Sequence, residues 1–171
     1  MDRRWLVGMA KDWGSAALIV VGVLFVWSWW QPAAKSSGPA PDFEVHRLDG
    51  SSVSIADLKE PVLVLNFWAT WCGPCRAEIP EFVDFHEMHP EVGVYGVSID
   101  ENLSPERLRL LSKKFGIDYE VLHDAAGQAA DAYGVHSVPQ TFILDKDREI
   151  RSVIAGSTTR QRLEQAVQRA Q

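Results

Sequence analysis

The chain has 171 residues, 46% of them hydrophobic and 23% charged, with a net charge of −6. That composition supports one packed domain with a segment to spare and excludes a chain disordered over most of its length. The negative balance, without a long basic run, argues against a cationic nucleic-acid face.

The first distinctive stretch is apolar. From Trp13 to Ala34 there are 22 residues without a charge, and five of the seven Trp lie at or before position 30. About 20 such residues cross a bilayer as a helix. Residues 13–30 are therefore predicted as a transmembrane anchor, with Trp27, Trp29 and Trp30 at a membrane–water interface. Arg3, Arg4 and Lys11 precede the stretch and only Lys35 follows it closely. The positive-inside bias puts residues 1–12 in the cytoplasm and the remainder outside it, in a single-pass membrane protein. Two other readings are a cleaved signal peptide, for which "PAAK" after bulky Trp residues is a poor site, and a terminal core helix. Residues 31–41, "QPAAKSSGPAP", read as a linker. Residues 42–171 then form the globular domain.

Within that domain the pattern alternates between two periods. "FEVHRLDGSSVSI" reads as two short strands around Asp49-Gly50. "VLVLNF", Val62–Phe67, is an unbroken apolar run, as in a strand covered on both faces. Ile79, Phe82, Val83 and His86 fall at helical spacing, with Pro80 expected to kink that helix. "VGVYGVSI", Val92–Ile99, is a second central strand. Ser104-Pro105-Glu106 carries a cap, a first-turn proline and a dipole-favoured acid, so a helix starts there. Gly116 ends it. "YEVLHD" is a short strand and "GQAADAYG" a short helix. "QTFILD" and "EIRSVIAG" are strands joined tightly enough for an antiparallel hairpin. Thr159 caps a last helix with Leu163, Ala166, Val167 and Ala170 on its apolar face. Strands alternating with helices imply an α/β fold around a mixed sheet.

The only two cysteines, Cys72 and Cys75, lie in "NFWATWCGPCRAEIP". As a structural staple they are badly spaced, because a loop of about four residues yields only about 2 kcal/mol against about 4.7 for a 100-residue loop. As structural zinc ligands they lack a second pair. His86 and His89 are three apart but lie turns beyond the thiols, where a solvated helix face is the simpler reading. Redox exchange fits the spacing best. At a strand-to-helix junction Cys72 meets the unpaired N–H groups and positive end of the helix, which favour its thiolate. Cys75, three residues on, can attack a mixed disulfide at Cys72. Cys72 is thus the attacking nucleophile and Cys75 the resolving thiol, with no cofactor and no metal required.

"FWATWCGPC" followed by "VPQTFILD" resembles the thioredoxin superfamily. The anchor and linker, "WCGPCRAEIP", and an extra strand–helix unit over about Val92–Gly116 resemble its membrane-anchored TlpA/ResA/CcmG (DsbE) branch. The resemblance implies a thioredoxin-like fold and a thiol–disulfide oxidoreductase facing the periplasm or an equivalent space. It implies reduction of specific protein disulfides, as in cytochrome c maturation, and a membrane electron donor of the DsbD/CcdA kind. It also implies that Pro139 is a cis-proline beside the disulfide, that the Val138 backbone pairs with an extended substrate, and that Trp71 flanks the site. For Trp71 a half-buried packing role is the competing reading. Thioredoxin carries a buried Asp where this chain has Asn66, which cannot accept the Cys75 proton. The resemblance passes that role to Glu78, whose other reading is a carboxylate favoured by the helix dipole. His136, three before Pro139, either borders the site or faces solvent; His46 and His123 receive no role. Two further functions use the same thiols: metal (copper) handling, and thiol peroxidase activity. The peroxiredoxin signature Pro-x-x-x-Thr-x-x-Cys is absent: the nearest match, "ATWC", has Asn66 four residues before its Thr, where the signature has Pro.

Overall fold

The computed structural model describes residues 19–23 and 37–171. The chain divides into two units, residues 1–33 and 34–171. In the first, residues 19–23 are helical with exposed side chains. The rest of the expected 13–30 anchor, the 1–12 segment and most of the linker lie outside the described residues. Among the described residues no helix is long and apolar enough to cross a membrane.

The second unit is built on an eight-stranded mixed sheet. Its strands are β1 (Gly38–Pro39), β2 (Glu44–Arg47), β3 (Ser52–Ser54), β4 (Val62–Trp68), β5 (Val92–Ser98), β6 (Glu120–His123), β7 (Gln140–Leu144) and β8 (Glu149–Ala155). Their order across the sheet is β1-β8-β7-β4-β5-β6-β2-β3. β4, β5 and β6 run parallel, while β7, β8, β1, β2 and β3 pair antiparallel to their neighbours. The β7–β8 pair is the hairpin expected from sequence. The helices are α1 (Gly73–Met88), α2 (Pro105–Lys114), α3 (Gln128–Tyr133) and α4 (Arg160–Gln168), with a 3-10 turn at Ile55–Asp57.

β4 shows why the sheet sits in the middle. All seven of its residues are buried. Leu63, Leu65 and Phe67 face one core with Tyr133 of α3. Val62 and Val64 face another, closed by Phe82 and Phe85 of α1 and by Leu163, Ala166 and Val167 of α4. Successive strand residues alternate faces, so only a near-continuous apolar run can serve two cores at once. A third cluster gathers Trp68, Ala69, Cys72, Cys75 and Leu108 of α2 at the end where β4 stops.

The local signals act as expected at most element ends. Ser104 accepts the Arg107 N–H at 3.2 Å, and Pro105 opens α2. Thr159 accepts the Arg162 N–H at 3.4 Å at the start of α4. Gly116 takes a φ of 80°, which ends α2 in the left-handed region that glycine enters without penalty. α1 continues through Pro80. Two features differ from the sequence reading. Gly38–Pro39, inside the presumed linker, pairs with Glu149 and Ile150 of β8. The pairing needs only backbone, so composition carries no trace of it. His86 is half-buried rather than solvated, edge-on to Tyr119 with ring centroids 6.3 Å apart.

Candidate active site

β4 ends at Trp68, and the turn Ala69–Trp71 delivers the chain to Cys72, the N-cap of α1. The Cys72 N–H donates to the Ala69 carbonyl at 3.1 Å. Cys72 takes an extended φ of −81° and ψ of 109°, and the Cys75 N–H donates to its Sγ at 3.1 Å. Pro74 sits in the first turn, where a missing N–H loses nothing. The two cysteines are joined as a disulfide. Cys72 is 5% exposed and Cys75 1%, so Cys72 is the more accessible residue of the pair.

The sequence-predicted residues converge here from three elements. The Val138–Pro139 peptide bond is cis. The Val138 carbonyl oxygen lies 3.7 Å from Cys72 Sγ. Pro139 is held from behind by the Gly156 N–H, 2.9 Å from its carbonyl. Trp71, next to Cys72, is 68% exposed, so it is not a packing residue of the core. His136 is exposed.

Glu78 lies one turn past Cys75 on α1 and is 3% exposed. Asn66 Nδ2 donates to its Oε1 at 3.0 Å, and the Thr158 N–H donates to its Oε2 at 2.9 Å. Burial pushes its carboxyl up to about 7, against the opposing pull of those two donors. A carboxyl titrating there can release or take up a proton near neutral pH. Asn66 gives its second hydrogen to Thr141 Oγ1 at 3.1 Å, across the β4–β7 pairing. Asn66 therefore holds the glutamate.

The contribution of Thr158 was not readable from the sequence, because the donor is a backbone amide brought in by the loop after β8. Thr141 carried a faint signal, two residues after Pro139. Among the described residues no group of three or more His, Cys, Asp or Glu side chains is arranged to hold a metal ion.

Residues 37–153 match the AhpC/TSA family. The chain belongs to that family. It is 32% identical over 126 residues to the thiol-disulfide oxidoreductase ResA of Bacillus thuringiensis subsp. konkukian, covering 74% of this chain and 73% of that protein. It is 33% identical over 129 residues to ResA of Oceanobacillus iheyensis, covering 73% and 67%. Among solved structures it resembles a thioredoxin-family thiol:disulfide interchange protein from Chlorobium tepidum, at 29% identity and a TM-score of 0.66, covering 81% of this chain and 99% of that one. It also resembles a DsbF homologue from Corynebacterium diphtheriae, at 28% identity and a TM-score of 0.68, covering 80% and 94%. The fold is thioredoxin-like, and the redox pair of this AhpC/TSA member sits where β4 passes into α1.

Proposed function

We propose that this enzyme, a thiol-disulfide oxidoreductase, reduces protein disulfides in an extracytoplasmic space while tethered to the inner membrane by residues 13–30. The observation that carries the chemistry is the Cys72–Cys75 disulfide at the N-terminus of α1, with the Cys75 N–H on the outer sulfur. In the reduced enzyme the Cys72 thiolate attacks a substrate disulfide. One substrate sulfur leaves as a thiol after taking a proton, and a mixed disulfide remains. Cys75, deprotonated by Glu78, then attacks Cys72 Sγ. The second substrate thiol departs, and the two electrons have passed from the enzyme to the substrate.

Val138 and Pro139 form the edge against which an extended substrate lies, and exposed Trp71 completes that surface. A periplasm-like space is oxidising, so a membrane dithiol protein of the DsbD/CcdA kind returns the electrons. The substrates we assign are the disulfides of apocytochrome c maturation. The thiol peroxidase reading lacks its signature, since Leu65 and Ala69 stand seven and three residues before Cys72 where that signature has Pro and Thr, and nothing in the site favours it.

The test uses Cys75→Ser in the native host. A disulfide-linked adduct on Cys72, released by dithiothreitol and absent from the Cys72→Ser/Cys75→Ser pair, is expected. Full reductase activity on a protein disulfide in Cys72→Ser would refute the assignment.

A further inference from the structure

A second buried carboxylate lies behind the cysteine loop. Asp100 follows β5 and is 4% exposed. Its Oδ2 accepts the Thr70 N–H at 2.9 Å and the Ser98 hydroxyl at 2.8 Å, and its Oδ1 accepts the Thr70 hydroxyl at 2.7 Å. Its own carbonyl lies 2.8 Å from Nε2 of buried His123, which must carry the proton because a carbonyl only accepts. Three donors thus occupy its two oxygens. Among the described residues no Lys, Arg or His forms an ion pair with it.

Thr70 is two residues before Cys72, and the Cys72 N–H closes the same turn on Ala69. The clamped loop and the attacking sulfur are therefore one short structural unit. The carboxylate works against the helix terminus there: the amides of α1 favour a negative sulfur, and an anion clamped to the residue two before Cys72, with no cation paired to it, opposes it.

We propose that Asp100 is a positioning residue that fixes the loop bearing Trp71 and Cys72 and, through its unpaired charge, biases the cysteine pair towards the disulfide. The inference rests on reading Cys72–Cys75 as a redox pair, and it supplies that pair with a direction. When a dithiol reduces the enzyme, the Cys72–Cys75 bond breaks and takes up two electrons and two protons, and the dithiol becomes a disulfide. A neighbour that disfavours the Cys72 thiolate disfavours this product. The enzyme then gives up electrons more readily, which is what a reductant requires.

The experiment equilibrates the oxidised full chain, in detergent, with dithiothreitol redox buffers and counts alkylated thiols by mass. Asp100→Asn keeps the size of the side chain and an acceptor for the Thr70 N–H while removing the charge. A shift of about tenfold towards the dithiol is expected, a rise of about 30 mV for a two-electron couple. Cys72 should also alkylate at lower pH than in the wild type. Ser98→Ala keeps the charge and removes one of its donors, so its equilibrium should move the opposite way. A merely structural role would not give opposite signs. A folded Asp100→Asn chain with an unchanged potential overturns the proposal. If that variant does not fold, Ser98→Ala decides: a shift towards the disulfide supports the proposal, and no shift or one towards the dithiol overturns it. Failure of the wild type to exchange with dithiothreitol at all would instead remove the redox reading itself.

Discussion

Glu78 is the residue at which stability and chemistry meet. Burial pushes its carboxyl to about 7 from an ordinary 4.5, so the fold prefers the neutral acid. Between those two values the folded chain holds a proton that the unfolded chain has released. Stability therefore falls as pH rises through that window, and the loss is complete above about 7. A shift of that size corresponds to about 3 kcal/mol as an upper bound. Glu78→Gln has no such proton to lose. Urea midpoints taken at about pH 5 and about pH 8 should fall for the wild type and stay level for the variant. Parallel behaviour of the two would mean that another group titrates. In single-turnover assays the same variant should slow the release of substrate from Cys72 more than its capture, because under the proposed mechanism Cys75 loses its proton acceptor.

At the scale of elements, close packing of the central sheet is seen in what β5 gives up to its neighbours. Gly93 lies opposite Leu63 of β4. A Cβ there would stand 2.8 Å from Tyr95 Cε2 and 2.9 Å from Leu63 Cδ2. Both neighbours are buried, and Tyr95 is tied to Glu60 through its hydroxyl at 3.0 Å, so neither can retreat freely. Replacing a strand glycine by alanine would ordinarily gain about 0.5–1 kcal/mol. Overpacking here costs about 1–3 kcal/mol, so Gly93→Ala should be a net loss, read as a lower urea midpoint with an unchanged slope. The elements themselves were largely legible in the sequence. The run Val62–Phe67 announced a two-faced strand, and Ser104-Pro105-Glu106 announced a helix start, because each signal is contained within a few neighbouring residues. Cys72 and Cys75 were legible for the same reason. The donors that hold Glu78 were not, apart from its spacing to Cys75: Asn66, the Thr158 N–H and the Thr141 hydroxyl that steadies Asn66 come together only when β4, β7 and the loop after β8 are stacked. The Asp100–Thr70 clamp was missed because it joins two strand ends 30 residues apart.

At the scale of the molecule, the question is where the folded unit begins. Composition placed its start at residue 42, after a linker. The sheet begins earlier, since Gly38 and Pro39 pair with Ile150 and Glu149, and the Ala40 N–H donates to the Arg148 carbonyl at 2.8 Å. Ala40 also packs against the core that contains Ile150. Arg148 stands in the left-handed region, with a φ of 60°, and its guanidinium reaches back to the Glu60 carbonyl at 2.9 Å. The start of the unit therefore lies on a turn already fastened to the segment before β4. Net hydrogen bonds of this kind are worth about 1 kcal/mol each, and part of that is returned as chain entropy. A chain beginning at residue 42 should be less stable by about 1 kcal/mol than one beginning at residue 37, a fall in melting temperature of about 4 °C. Both should keep their disulfide-exchange activity, because the cysteine pair rests on β4, α1 and the Val138–Pro139 segment. Equal melting temperatures would mean that the first strand adds nothing and that the fold starts where the composition changes. Loss of activity without loss of stability would mean that the edge strand reaches the site by a route the sheet order does not provide.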